Sequence, residues 1–290
     1  MPSPSASPYL VPFDGSFRVA DAPTVPPKDA PKKKDLEQAL AASVAALAEL
    51  QQKLYAQNTW AILLIFQAMD AAGKDGTIRS VLTGVDPAGC QVCSFKAPSA
   101  EELDHDFLWR TATRLPERGR IGVFNRSYYE EVLVVRVHPE FLAGQRLPEA
   151  TLKSLWSGRF DSIRDHERHL ARNGVHILKF WLNVSEKEQH RRLLKRIEDP
   201  SKNWKFNAGD LDERDRWSEY MSAYEAALGE TSRPWAPWYA IPADDKAFMR
   251  ATVANILVES LNSLDLAFPS VSTEQKAVLK KLGAKLKNGR

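Results

Sequence analysis

At 290 residues, 43% hydrophobic and 27% charged, the chain has the balance of a globular protein with room for one large α/β domain and appendages. Its 40 basic side chains exceed its 37 acidic ones by only +3, too little to mark a nucleic-acid binder, so a polyanionic partner would need basic residues gathered in one place. No apolar run reaches transmembrane length and the Ser- and Pro-rich start lacks an apolar signal segment, so no membrane association and a cytoplasmic location are expected.

Residues 1–31 hold eight of the 18 prolines and read as an extended, mostly irregular arm. From Lys32 a helix is predicted, with Leu36, Leu40, Val44, Leu47, Leu50 and Leu54 at three- and four-residue spacing as its packing stripe. TWAILLIF (59–66) is a short continuous apolar run, the pattern of a strand buried on both faces of a parallel sheet. A loop follows, and IRSVLTG continues as helix. Further strands are predicted over 90–97, 121–125, 176–184 and 238–243. Helices are predicted near 99–114, 127–136, 148–172, 186–198, 211–228 and 244–264. This alternation argues for a parallel α/β architecture, without internal repeats.

Only two cysteines are present, Cys90 and Cys93, which excludes a disulfide framework and suits a reducing compartment. Their C-x-x-C lies in a predicted strand, where the two sulfurs face opposite ways, and a zinc site would need two more ligands that no nearby pair supplies. His166 and His169 fall on a helix that reads as solvated, the ordinary place for histidines without a metal.

FQAMDAAGKDGTIRS (66–80) joins the predicted buried strand to a helix. That is the setting in which successive backbone N–H groups and the helix dipole converge on an anion. Gly73 and Gly76 permit close approach, and Lys74 supplies a point charge. The match to G-x-x-x-x-G-K-[ST] is incomplete, with Ala68 at the first glycine and Asp75 at the hydroxyl position. A helix-start loop with an incidental lysine is the plain alternative.

RIGVFNRSYYEE (120–131) ends a strand in Asn125-Arg126, which puts a phosphate-matching guanidinium at the carboxyl edge where α/β proteins bind ligands. Taken alone, Arg126 reads equally as a surface cation. In EKEQHRRLLKRIEDPSKNWKF, the pairs Arg191/Lys195 and Arg192/Arg196 make one broad helix face basic. Pro200 ends that helix, and Asp210 with Glu213 forms a capping-box-like start for the next. The pair makes a helical hairpin suited to closing over phosphates, with Trp204 and Lys205 in its turn; a solvated charged helix is the alternative.

Together these segments resemble the second family of polyphosphate kinases. DAAGKDG is similar to that family's phosphate loop, FNRSYYEEVLVVRVHPE to its second phosphate motif, RRLLKRIEDPSKNWKF to its lid, and PWYAIPADDK to its last strand and helix start. The resemblance runs from about residue 30 to 265. It implies a thymidylate-kinase-like P-loop fold, a parallel sheet flanked by helices, with a helical lid at about 186–228 in a phosphotransferase domain over 32–268. Residues 269–290 would be a basic tail.

The implied activity is reversible Mg²⁺-dependent transfer of the terminal phosphoryl group of inorganic polyphosphate to nucleotides, with Mn²⁺ as an alternative metal. Asp70 would hold the metal, and Lys74 and Arg126 would clamp the transferring group. Ala71, Ala72, Gly73, Asp75 and Gly76 would line the phosphates, with Asp75 otherwise complementing the helix dipole. Arg191, Arg192 and Lys195 would guide the chain, and Lys96 would sit near the acceptor phosphate unless it is a rim lysine. Asn125 stands where many members have Asp, and with YYEEVLVVRVH it resembles the branch that accepts nucleoside mono- and diphosphates. A homo-oligomer such as a tetramer is implied too, with no nucleic-acid partner. An ATP-dependent nucleotide kinase and a non-catalytic polyanion binder are the rival readings.

Overall fold

The computed structural model of the chain describes residues 3–201, 203–205 and 209–287. Strand β1 (Ala61–Gln67) is buried along its whole length, which an apolar run tolerates only where both faces and both edges are covered. It is the central strand. With β2 (Cys90–Ser94), β3 (Ile121–Asn125), β4 (Val175–Asn183) and β5 (Trp238–Pro242) it forms a parallel sheet in the order β2-β3-β1-β4-β5. Phe66 pairs with both Asn125 and Phe180, so the inner strands end nearly level and open one crevice at their carboxyl ends.

The longer helices are α1 (Lys33–Gln57), α2 (Lys74–Val81), α3 (Leu155–Arg172), α4 (Glu186–Glu198), α5 (Gly209–Asp215), α6 (Trp217–Thr231), α7 (Lys246–Asn262) and α8 (Thr273–Lys287). The α1 stripe packs as its spacing requires, with Leu36, Leu47, Leu50 and Leu54 buried, and the helix lies along α7. Three predicted helices are broken. Residues 99–114 contain two single turns, Ala100–Leu103 and Trp109–Ala112, because the Asp106 carboxylate captures the Leu108 N–H and starts a new turn. Over 127–136 a 3-10 segment, Tyr128–Val132, precedes Val134–Val137, and over 148–172 Glu149–Leu152 is separate from α3. The segment predicted as 211–228 is likewise split, into α5 and α6, at Arg216.

The arm is irregular, as its prolines dictate, yet it is packed. Val11 and Phe17 are buried, the Val11 N–H donates to Trp238 O at 2.9 Å, and the Ala240 N–H donates to Tyr9 O at 2.8 Å. It thereby covers an edge of β5 that would otherwise offer unpaired backbone groups. At the other end α8 has no buried residue, and no helix among the described residues is long and apolar enough to cross a membrane. Cys90 and Cys93 are free thiols on the sheet edge; burial pushes Cys90 up to about 11 and also raises Cys93, away from the thiolate a redox site requires.

α3 is not a solvated helix. Glu167 is fully buried, and His166 packs edge-on to Tyr128 with ring centroids 5.7 Å apart. The cause is Lys179, buried at the middle of β4, whose ammonium needs a counter-charge. Its Nζ lies 2.6 Å from Glu167 Oε2 and donates to Tyr129 Oη at 2.8 Å and Thr231 O at 2.9 Å. The Tyr128 and Tyr129 hydroxyls donate to Glu167 Oε1 at 2.9 and 2.8 Å. Burial pulls Lys179 down to about 8 against the opposing pull of Glu167. Removing one partner leaves a naked buried charge. Lys179→Met alone should lower the unfolding free energy by about 3–5 kcal/mol, and Lys179→Met with Glu167→Leu should recover much of it. Urea denaturation checks this; a single-mutant loss under about 1 kcal/mol would show that the pair is not needed.

Candidate active site

β1 gives way at Gln67 to a loop that turns into α2, whose first residue is Lys74. Ala71 (φ 61°) and Gly73 (φ 114°) take left-handed backbone to make the turn, and a Cβ at Gly73 would lie 3.2 Å from Met249 Cε. Lys74 Nζ arches back over the loop to donate to Ala68 O at 2.6 Å, at the position where the usual pattern has its first glycine. Burial lowers the Lys74 pKa, with Asp70 pulling the other way and Arg126 adding to the fall. An ammonium depressed by burial and by a neighbouring cation gains most from an added anion.

At the end of β3, Arg126 also takes a left-handed conformation (φ 63°), and its N–H extends the ladder by donating to Phe66 O at 3.1 Å. This swings the guanidinium over the loop. Nη2 donates to Asp70 Oδ1 at 2.9 Å, and Nη1 lies 3.6 Å from Glu130 Oε2. Burial alone would depress Arg126, but Glu130 and Asp70 outweigh it and hold its pKa raised. Burial raises Glu130 in turn, opposed by Arg126 and Lys74. Glu130 was not among the residues anticipated, although its place four after Arg126 was a signal. Asn125 donates from Nδ2 to Asp75 Oδ1 at 2.6 Å, which ties the end of β3 to the first turn of α2.

The α4 arginines divide. Arg191 is exposed, its guanidinium forked on Glu188 with both bonds at 2.7 Å. Those bonds, with Arg192 adding to them, hold Glu188 down to about 2. Arg192 is buried and does not share the open face that its spacing suggested. It donates to Ala72 O (2.6 Å), Ala71 O (3.3 Å), Ala243 O (2.6 Å), Asp244 O (3.0 Å) and Glu188 Oε1 (2.7 Å). All five guanidinium N–H groups are therefore committed to protein. Arg192 borders the cleft as a staple joining α4, the phosphate loop and the β5–α7 junction. Gln189 beside it donates to Asp70 O at 3.1 Å.

Glu213 does not act in a capping pair that the structure displays: it bonds His138 Nε2 at 2.9 Å and accepts from the Tyr220 hydroxyl, while the Asp210 side chain lies outside the described residues. The Lys205 side chain is outside them too, and Trp204 is 78% exposed with its indole N–H on Ser201 O.

Asp70, Ala71, Ala72, Gly73, Lys74, Asp75, Gly76, Lys96, Asn125, Arg126, Arg191, Arg192 and Lys195 all line one cleft of about 660 Å³. Lys96 stands on an exposed loop just past β2. Ten of the lining residues are Lys or Arg and two are Asp, so a chain with a net charge of only +3 concentrates its positive charge here. Arg196 with Arg79, Lys246 and Arg250 completes the ten, and the last three were not anticipated.

A strand, a loop and a helix N-terminus cradling a lysine, with an arginine from the neighbouring parallel strand and a basic helix alongside, define a P-loop phosphotransferase. Residues 30–269 match the model of the family described as Polyphosphate kinase 2, and the chain belongs to that family. It is 55% identical over 249 residues to a Rhodopseudomonas palustris protein named ADP-polyphosphate phosphotransferase, across 85% of this chain and 86% of that one. It is 42% identical over 273 residues to a Meiothermus ruber protein named AMP/ADP-polyphosphate phosphotransferase, across 93% and 98% of the two chains. Among solved structures, polyphosphate kinase 2 from Arthrobacter aurescens superposes with a TM-score of 0.83 at 40% identity, covering 92% of this chain and 93% of that one.

Two neighbouring arginines should now behave differently. Arg192→Gln strips donors from four carbonyls and should cost about 2 kcal/mol or more of stability together with kcat. Arg191→Gln should leave the melting temperature within a degree or two and act on anion KM, as expected of an exposed ion pair. Melting curves and steady-state kinetics on both variants decide it; equal stability would refute the staple.

Proposed function

We propose that the enzyme moves the terminal phosphoryl group of inorganic polyphosphate reversibly onto nucleotides, AMP to ADP and ADP to ATP, with Mg²⁺ and with Mn²⁺ able to replace it. The observation that carries this is the Asp70–Arg126 pair inside a cleft dominated by cations. An acceptor phosphate and a polyphosphate end are both polyanions, and a site that must bring them together needs many cations and a carboxylate for the metal between them.

Among the described residues no three His, Cys, Asp or Glu side chains form a metal cage of their own. That suits Mg²⁺, which commonly takes one or two carboxylates and completes its shell with water and phosphate oxygens. Asp70 would hold it, and the ion when bound would supply charge neutralisation between the two substrates. The terminal phosphate oxygen of the nucleotide attacks the terminal phosphorus of the chain. The bond to the bridging oxygen breaks, and the shortened polyphosphate leaves with that electron pair. Phosphate is already largely ionised near neutrality, so no strong base is required. Lys74 and Arg126 hold the transferring group, the α2 N-terminus faces it, and Lys96 marks the acceptor side. Alignment and charge carry the rate, without a protein nucleophile. Run toward ATP, the reaction regenerates it.

Asn125 bears on the acceptor range. Its amide donates to Asp75, so an Asp at 125 would set two carboxylates in contact, an arrangement favoured only with a proton or a cation between them. A neutral residue there leaves the site less dependent on metal charge and tolerant of acceptors that differ by one phosphate.

Turnover of AMP and of ADP, each with polyphosphate as sole phosphoryl donor, tests the proposal. Both should be phosphorylated without ATP; activity only with ATP would establish an ordinary nucleotide kinase, and binding without turnover a polyanion carrier. Asn125→Asp should tighten the Mg²⁺ requirement and shift the AMP-to-ADP ratio across a Mg²⁺ titration, and an unmoved ratio would remove Asn125 as its cause. Asp70→Asn and Lys74→Ala should each lower kcat by about two orders of magnitude or more while leaving the melting curve intact. A rate near that of the wild type would take the residue out of the mechanism.

A further inference from the structure

The motif that begins with Asn125 and Arg126 runs on to His138, which has no part in the transfer step described above. His138 is buried at the start of the 3-10 segment Pro139–Gln145, with its ring stacked on Phe141 at a centroid separation of 5.3 Å. Each ring nitrogen faces a carboxylate. Nδ1 lies 3.1 Å from Glu140 Oε1, and Nε2 lies 2.9 Å from Glu213 Oε2. Glu140 belongs to the same segment, whereas Glu213 comes from α5, 75 residues further along. Glu213 also accepts from the Tyr220 hydroxyl of α6, and Arg216 Nη1 donates to Val137 O at 2.9 Å. The junction of α5 and α6 is thereby fastened to the end of the β3 motif.

An ionised carboxylate only accepts, so satisfying both contacts takes two N–H donors, and only the imidazolium has them. A neutral ring would turn a lone pair toward one of the two carboxylates. The geometry therefore calls for a proton on His138. Burial works against the charged ring, but the bonds to Glu213 and Glu140 and the Glu213 charge outweigh burial and the Arg216 cation, and the pKa is raised. A raised value sets the sign: the contact contributes fully below the ordinary imidazole pKa and is lost as pH rises through the raised one. From Glu213 the connection continues into α4. Arg214, the next residue, donates to Glu186 Oε1 at 3.1 Å and lies 2.8 Å from His190 Nδ1. α4 is the helix that lines the cleft with Arg191 and Lys195.

We infer that His138 is a positioning residue: as an imidazolium it latches α5 to the β3 motif and, through α5, holds α4 beside the phosphate loop. The effect of the latch on turnover rests on the polyphosphate reading; the latch itself does not. Engaged, it keeps the α4 cations where an anionic substrate meets them. Released by loss of the His138 proton, it lets α4 and α5 stand off, so affinity falls while the transfer step of a bound substrate keeps its rate. A mild rise in pH thus weakens the hold on polyphosphate through a residue outside the cleft.

Two measurements test it. NMR titration of the histidine rings, on protein without substrate and with His138→Gln to assign the signal, should show His138 titrating above the ordinary value of about 6.5. Glu213→Gln keeps the shape but removes the charge, and should bring that pKa back down. In steady-state kinetics with ADP saturating, the wild-type KM for polyphosphate should rise about tenfold between about pH 6 and about pH 9, the loss expected for one charge-assisted hydrogen bond, with kcat changing less than about twofold. His138→Gln should start from a raised KM and lose most of that pH dependence, and in Glu213→Gln the rise should begin at lower pH. Glu213 is partly exposed, so its variant keeps the test valid if His138→Gln fails to fold. A His138 that titrates at or below the ordinary value, or a KM profile that is the same in wild type and both variants and so belongs to the substrates' own phosphates, would overturn the latch. Polyphosphate left untouched at every pH would instead overturn the function on which the kinetic effect rests, and the titration would still decide the latch.

Discussion

The positive charges around the phosphate loop repel one another, and the fold keeps them together by anchoring the inner ones from behind. At about 4 Å and a surface-like dielectric, two like charges oppose each other by roughly 4 kcal/mol. Lys74 is held by a loop carbonyl, Arg126 by Asp70 and Glu130, Arg191 by Glu188, and Arg192 by four carbonyls and Glu188. Beneath them the turn that carries Arg126 is fastened through Tyr128 and Tyr129 to Glu167 and Lys179. The cations are thus oriented before substrate arrives. That is where preorganised electrostatic stabilisation gains its strength, since no reorganisation is left for the moment of reaction.

The same arrangement explains why carboxylates sit inside a phosphate loop. A loop built of donors alone would hold one polyanion and repel the metal needed to bring up a second. Asp70 and Asp75, both lining the cleft, are each held through one oxygen, by Arg126 and Asn125. The pairings align the carboxylates. The arm reinforces the same edge of the sheet from outside: Asn183 at the end of β4 donates to Ala22 O and Pro23 O, and the Asp244 N–H donates to Thr24 O.

Much of this was legible in the sequence because it is local. The buried run of β1, the loop glycines, the basic spacing of α4 and all five strands depend on neighbours within a few residues. What was hidden depends on distant partners. Arg192 and Arg191 are adjacent and chemically identical, and only carbonyls 51 to 121 residues away make one a staple and the other an exposed cation. Glu167 looked like one more charged residue on a polar helix until Lys179 was placed behind it. Arg79, Lys246 and Arg250 come together from opposite ends of the domain, so no spacing rule could join them. The broken helices near 99–114 and 127–136 show side chains such as Asp106 and Ser127 taking backbone N–H groups that the periodicity assigned to helix.

The central claim is that alignment and charge pass the phosphoryl group straight from chain to nucleotide. A single-turnover chemical quench, with enzyme in excess over end-labelled polyphosphate and ADP at saturation, addresses it most directly. Direct transfer predicts that the label leaves the polyphosphate and enters ATP in one kinetic phase, with none on the protein at any time. Label accumulating on a side chain such as Asp70 before ATP forms, or released as orthophosphate, would contradict it.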